Sequence, residues 1–157
     1  MPDDRPTGTW KTDSFQETLD DHRECMQVVS EIEACLDQPP DNAGQWVAQL
    51  LQRLPGLART MREHFEDEEG GLLYAELPRR RPHLAVRLAA LKEEHPRMLV
   101  EIEKTIDIAT HLREAELYEL RELNARIQLL VARIRRHEAA ENELIFEAYW
   151  EDIGTGD

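Results

Sequence analysis

The chain has 157 residues, enough for one domain with a sizeable core, and an apolar share of 41% sets it apart from a disordered polymer. A net charge of -14 argues against nucleic acid as a partner, because affinity there comes from Lys and Arg neutralising phosphates. No stretch approaches a membrane span, and Met1 to Lys11 holds no apolar segment of the signal-peptide kind, so a soluble, cytoplasmic protein without membrane contact is expected.

The expected organisation is a flexible N-terminal tail over 1–13, a helical domain over 14–150 and a C-terminal tail over 151–157. Strand signals are nearly absent, and apolar residues recur at spacings of three and four. Ser14 with Glu17 forms a capping-box pattern that opens a helix to about Leu36, closed by Pro39-Pro40. Its inner stripe reads Phe15, Leu19, His22, Met26, Val29, Ile32. Cys25 and Cys35 lie on this helix roughly 15 Å apart, too far for a disulfide, which fits a reducing compartment. Cys25 is read as a buried, inert thiol.

A second helix is expected from about Asn42 to Glu69, with Val47, Leu50, Leu54, Leu57, Met61, His64 and Glu68 on one face. Pro55 interrupts it, but the stripe keeps its phase, which predicts a kink rather than a break. Gly70-Gly71 ends it, and a linker with Pro78 and Pro82 follows; the basic run Arg79-Arg80-Arg81 reads as solvated loop. A third helix, from about His83 to Thr110, carries Leu84, Leu88, Leu91, His95, Leu99, Ile102 and Ile106 inward, with Pro96 inside it. A fourth begins between Arg113 and Tyr118 and runs to about Trp150, its stripe reading Leu120, Leu123, Ile127, Leu130, Ile134, His137, Glu141, Leu144, Ala148. The predicted fold class is therefore all-α: an antiparallel, up-down-up-down four-helix bundle.

Of the six histidines, His22, His64, His95 and His137 fall on the inner stripes, one per helix, while His83 and His111 fall near helix ends and are expected to be wet. A lone inward histidine is usually a hydrogen-bonded core residue. Here, however, His64 precedes Glu68 by four residues and His137 precedes Glu141 by four, which puts each pair on one helix face roughly 6 Å apart. Glutamate is almost never fully buried without compensation of its charge. In an up-down-up-down bundle, the N-terminal halves holding His22 and His95 share an end with the C-terminal halves holding His64 and His137. All six groups then converge at one level. Imidazole with carboxylate suits iron, manganese or zinc, and six ligands exceed the needs of one tetrahedral zinc. Two metals with bridging glutamates fit better. The Glu-x-x-His motif of ferritin-like di-iron bundles is missing, since Leu19, Met61, Lys92 and Ile134 precede the four histidines by three.

Asp21-His22-Arg23-Glu24, His64-Phe65-Glu66-Asp67-Glu68-Glu69, Glu94-His95 and His137-Glu138-Ala139-Ala140-Glu141, in this order, resemble the hemerythrin-like, or HHE cation-binding, family over roughly residues 14 to 150. The resemblance implies a hemerythrin-like bundle with two non-haem iron ions, oxo- or hydroxo-bridged, held by His22, His64, Glu68, His95, His137 and Glu141. Oxygen-carrying hemerythrins have a second histidine on the third helix, one turn from the first. Leu91 and Leu99 flank His95 at those distances here, which places the chain with the branch carrying fewer histidines. Three functional readings follow. The first is a binding protein that takes up oxygen or a related small ligand, or senses iron or redox state. The second is a di-iron redox enzyme acting on peroxide, oxygen or nitric oxide. The third is a structural or interaction bundle with no physiological metal.

Overall fold

The computed structural model describes residues 12–37, 43–112 and 117–154. The expected N-terminal tail through residue 11, the Pro39-Pro40 stop, Asn42, the connection at 113–116 and the last residues 155–157 lie outside them. Helix α1 (Thr12–Leu36) and helix α2 (Ala43–Glu69) are followed by one wide π-helical turn (Leu72–Glu76), the short α3 (Leu77–Arg80) and a 3-10 turn (Pro82–Leu84). The long helices α4 (Ala85–His111) and α5 (Leu117–Gly154) complete the chain, and no strand occurs among the described residues.

Residues pair in opposite chain order across every neighbouring couple of long helices. Cys25 meets Met61 and Glu31 meets Arg53 between α1 and α2. Glu69 meets His95 and Arg62 meets Glu103 between α2 and α4. Arg87 meets Glu147 and Glu101 meets Arg126 between α4 and α5. His22 meets Asn142 and Glu33 meets Arg135 between α1 and α5. Each neighbour therefore runs antiparallel to the next around a closed ring of four, as expected from the four amphipathic stripes.

The boundaries differ in detail. Ser14 lies inside α1, where its carbonyl accepts a hydrogen bond from the Thr18 hydroxyl, so it does not cap the helix. The other end of α1 is closed by side chains, since Trp46 Nε1 donates to the Cys35 carbonyl and Asn124 Nδ2 to that of Leu36. Helix α2 runs unbroken through Pro55 and α4 through Pro96, and both prolines are exposed. Helix α5 continues to Gly154, past the end expected at Trp150.

The segment read as a linker is folded. Leu72, Leu73, Leu77 and Leu84 are buried, and they pack with Phe15, Leu88, Leu144, Ile145 and Ala148 into a small apolar cluster. Pro78 and Pro82 stand at the first turns of their short helical pieces, where a missing N–H breaks no helical bond. A larger apolar cluster, with Val29, Leu50, Leu54, Met61, Ile102 and Ile127 among its members, fills the rest of the bundle. Fully burying each such side chain contributes about 1.5–3 kcal/mol. Between the two clusters lies a layer of buried imidazoles and carboxylates, so the folded cap closes that layer off from one end of the bundle.

Candidate metal centre

The layer exists because four stripes each carry a histidine at the same height. His22 comes from α1, His64 and Glu68 from α2, His95 from α4, and His137 and Glu141 from α5; all are buried. The structure thus brings together all six residues singled out in the sequence. It adds a seventh, Glu138, only 2% exposed, which stripe reasoning missed. A helix face broader than about 100° admits two consecutive residues, and the place of Glu138 four residues after Ile134 and three before Glu141 was the available signal. His83 and His111 stand apart and exposed; His83 Nε2 pairs with Glu151 and His111 Nδ1 with the Asp107 carbonyl.

The seven side chains form two overlapping groups. His22, His64, Glu68, Glu138 and Glu141 make the first, and Glu68, His95, His137 and Glu141 the second; within each, one ligand atom per residue lies within 4.8 Å of all the others. Glu68 and Glu141 belong to both. Glu68 Oε1 lies 2.8 Å from His22 Nε2 and 2.6 Å from His64 Nε2, while its Oε2 is 3.5 Å from His95 Nε2. Glu138 stands between His64 Nε2 at 3.1 Å and His22 Nδ1 at 3.2 Å. Glu141 Oε1 is 3.3 Å from His137 Nε2 and 3.9 Å from His22 Nε2.

Outer groups orient the rings. His137 Nδ1 lies 2.7 Å from Glu94, His95 Nδ1 3.1 Å from Glu69, and His22 Nδ1 2.7 Å from the Asn142 amide oxygen. Each of these acceptors draws the ring proton to Nδ1 and leaves Nε2 facing inward as a lone pair, the arrangement expected of a metal-binding imidazole. Phe65 stacks flat on His95 with centroids 3.9 Å apart, fixing that ring further. Tyr74, carried by the π-helical turn, donates its hydroxyl to Glu141 Oε2 at 2.6 Å.

Two features of the layer call for cations. His95 Nε2 and His137 Nε2 face each other at 3.1 Å while both Nδ1 atoms hold carboxylate partners. Two neutral rings so placed oppose lone pair to lone pair, and only an added proton or a metal ion relieves this. Glu68 Oε2, Glu138 Oε2 and Glu141 Oε1 are buried with no hydrogen-bond partner among the described residues, although each lies near imidazole nitrogen. Unmatched buried carboxylate oxygens cost several kcal/mol unless charge compensates them. The donor set, imidazole with carboxylate at two adjoining positions, fits a pair of first-row metal ions.

Without metal, protons take that role. Burial alone lowers an imidazole pKa, but hydrogen bonds and charges of Glu68, Glu138 and Glu141 outweigh it and raise His22 from 6.5 to about 8. The same opposition raises His64 to about 10, through Glu138 and Glu68, and His137 to about 9, chiefly through Glu141. Burial would raise Glu141, yet the facing imidazoles of His137 and His95 hold it well below the ordinary carboxylate range. Glu138 moves the other way, pushed up by burial, with the His64 hydrogen bond and the charge of His22 opposing only in part. Cys25, one turn from His22, is buried with its thiol directed at Met61 Sδ, and burial pushes its pKa up, in keeping with an inert thiol.

Removing the Tyr74 hydroxyl isolates one outer contact. Tyr74→Phe is expected to fold normally and to weaken metal affinity about tenfold, the low end for outer partners of metal ligands. Competition against a chelator of known affinity measures it, and an unchanged affinity would make the Tyr74–Glu141 bond incidental.

A family model described as hemerythrin HHE cation binding domain matches residues 14–149. No curated protein and no solved structure matches the chain. No described helix is long and apolar enough to cross a membrane.

Proposed function

The chain belongs to the hemerythrin HHE cation-binding family, and from that membership and the geometry of the buried layer we propose that it is a non-haem di-iron protein that binds oxygen or a related small ligand, or senses iron or redox state. The observation that carries this reading is the sharing of Glu68 and Glu141 between two adjoining donor groups. In this reading His22, His64 and Glu138 would hold one ion and His95 and His137 the other, with Glu68 and Glu141 within reach of both groups. Glu68, Glu138 and Glu141 would supply three negative charges toward the four of two divalent ions. When bound, the ions supply open coordination positions and one-electron redox change, the chemistry that a small diatomic or peroxide ligand needs.

The protein's own part is to hold and shield. The first group offers five side chains and the second four, so an ion on the His95–His137 side would have fewer protein donors and would leave a position for a small ligand. The apolar clusters above and below close the two ends of the layer. Glu94, Glu69 and Asn142 hold protons at Nδ1 of His137, His95 and His22, which keeps Nε2 free as donor. Tyr74 places a proton at Glu141 Oε2, and burial together with the charge of Glu141 pushes its own ionisation far above the ordinary tyrosine value, so the hydroxyl remains a donor.

Elemental analysis of untagged protein tests the reading. Two iron ions per chain, with the visible absorption of an oxygen-bridged pair, are expected. Zinc or manganese in their place would overturn the iron assignment, and a metal-free protein with a full helical content would favour the structural reading. Consumption of peroxide or nitric oxide over many cycles would move the assignment from binding to turnover.

A further inference from the structure

The centre touches the outside on one side. His64 is 9% and Glu68 7% exposed, against 0–3% for the other five groups. Both line a cavity of about 220 Å³ between α1, α2 and the π-helical turn, whose rim carries Glu17, Asp21, Asp67 and Glu76. These four carboxylates form no ion pair among the described residues. Inside, the Glu68 carboxylate is more than nine-tenths buried and keeps Oε2 without a hydrogen-bond partner.

We propose that this acidic cavity is the loading route through which a hydrated divalent cation reaches the centre; the inference rests on the metal-binding reading above. An ion arriving from water meets unpaired carboxylates at the rim, then the Glu68 carboxylate and the His64 imidazole on the cavity wall, and exchanges water for protein ligands in that order. At about 30 Å³ per water molecule the cavity admits an ion with most of its first shell. A cleft of one charge sign with low-dielectric walls concentrates counter-ions and accelerates their capture by about 10–1,000-fold.

The opposite side of the centre has the wrong sign for a cation. There a groove of about 690 Å³ between α4 and α5 is lined by Glu94, the partner of His137, and Glu101, but these two carboxylates are outnumbered by Arg97, Lys104, Arg133 and Arg136. The net positive lining of that groove disfavours a divalent ion, whereas the first cavity attracts it. The net charge of -14 alone would not choose between the two, whereas the placement of these side chains does.

The test is the rate at which ferrous ion, added anaerobically to metal-free protein, becomes inaccessible to a chromogenic chelator. Asp21→Asn with Asp67→Asn is expected to slow this uptake about tenfold at low ionic strength, to leave the final iron content unchanged, and to lose most of its effect in 0.5 M salt. The matched control, Glu119→Gln with Glu122→Gln, removes the same charge ~30 Å along α5 from Glu141, beyond screening distance at physiological salt, and is expected to leave the rate unchanged. Equal rates in the rim variant and the unsubstituted protein, or equal slowing by the control, would overturn the route while leaving the metal centre standing. Failure of the unsubstituted protein to take up any iron would overturn both.

Discussion

Replacing Glu141 with alanine is expected to empty both metal positions, whereas replacing Glu138 with alanine empties chiefly one. Glu141 is fully buried and belongs to both donor groups, and Glu138 belongs only to the first. In the proposed two-ion reading, loss of a shared carboxylate would take a ligand from each ion and remove charge that offsets two neighbouring cations. The effect should exceed the 10–100-fold in affinity that outer partners typically contribute, because a direct ligand is lost. Metal content of the purified variants, with helical content as a control for folding, reads the difference. Glu68→Ala should behave like Glu141→Ala. His137→Ala should deplete the second position first. His83→Ala and His111→Ala should retain the full content, since both rings stand outside the layer. Equal retention of metal by Glu141→Ala and the unsubstituted protein would remove the shared-ligand assignment.

Metal removal is the second large effect. An ion that binds only the folded state stabilises it by about 4 kcal/mol when free ion exceeds Kd a thousandfold. In a chain of this size each kcal/mol moves Tm by about 2–4 °C, so chelation should lower Tm by about 10 °C or more. The sign of the pH dependence separates the two forms. In the metal-free protein, His22, His64 and His137 have folded pKa values of about 8, 10 and 9 against 6.5 when unperturbed. Raised values of this kind give stability that is fully present below pH 6.5 and is lost as pH climbs through 8 to 10. Glu138, also raised, acts in the same direction, because its ionised form is disfavoured in the fold. Glu141, lowered, gives stability that is lost only as pH falls well below 4.5. The metal-free form should therefore be most stable on the mildly acidic side. Metal binding displaces the imidazole protons, so its contribution grows over the window in which the metal-free form weakens. The Tm gap between loaded and stripped protein should widen from pH 6 to pH 9. Parallel curves across that range would show that protons and metal do not compete for these rings.

The helical content was legible in the sequence because a stripe at spacings of three and four needs only one helix to express it. The positions of His22, His64, His95 and His137 were legible for the same reason, and their common height followed from where they fall along antiparallel helices. Pro55 is exposed within an unbroken helix, as a stripe that keeps its phase across it implies, and Pro96 is likewise exposed within an unbroken helix. What stayed hidden involves more than one helix, or a departure from helical period. Residues 72–84 carry buried leucines at 72, 73, 77 and 84, a pattern that follows no single period because three different turns share it. Glu138 was hidden because its neighbour His137 already occupied the stripe, and only the width of the layer between four helices shows that both point inward.

By itself, then, the order of residues determined which faces turn inward and that a polar layer interrupts the apolar ones, since both depend on local geometry repeated along one helix. Tertiary structure alone decided which groups are shared, which acceptor holds each Nδ1 proton, that Tyr74 reaches Glu141, and which side of the layer opens to water. Those properties are set by distances of about 3 Å between side chains far apart in the chain, and such distances exist only once four helices and the folded cap have packed against each other.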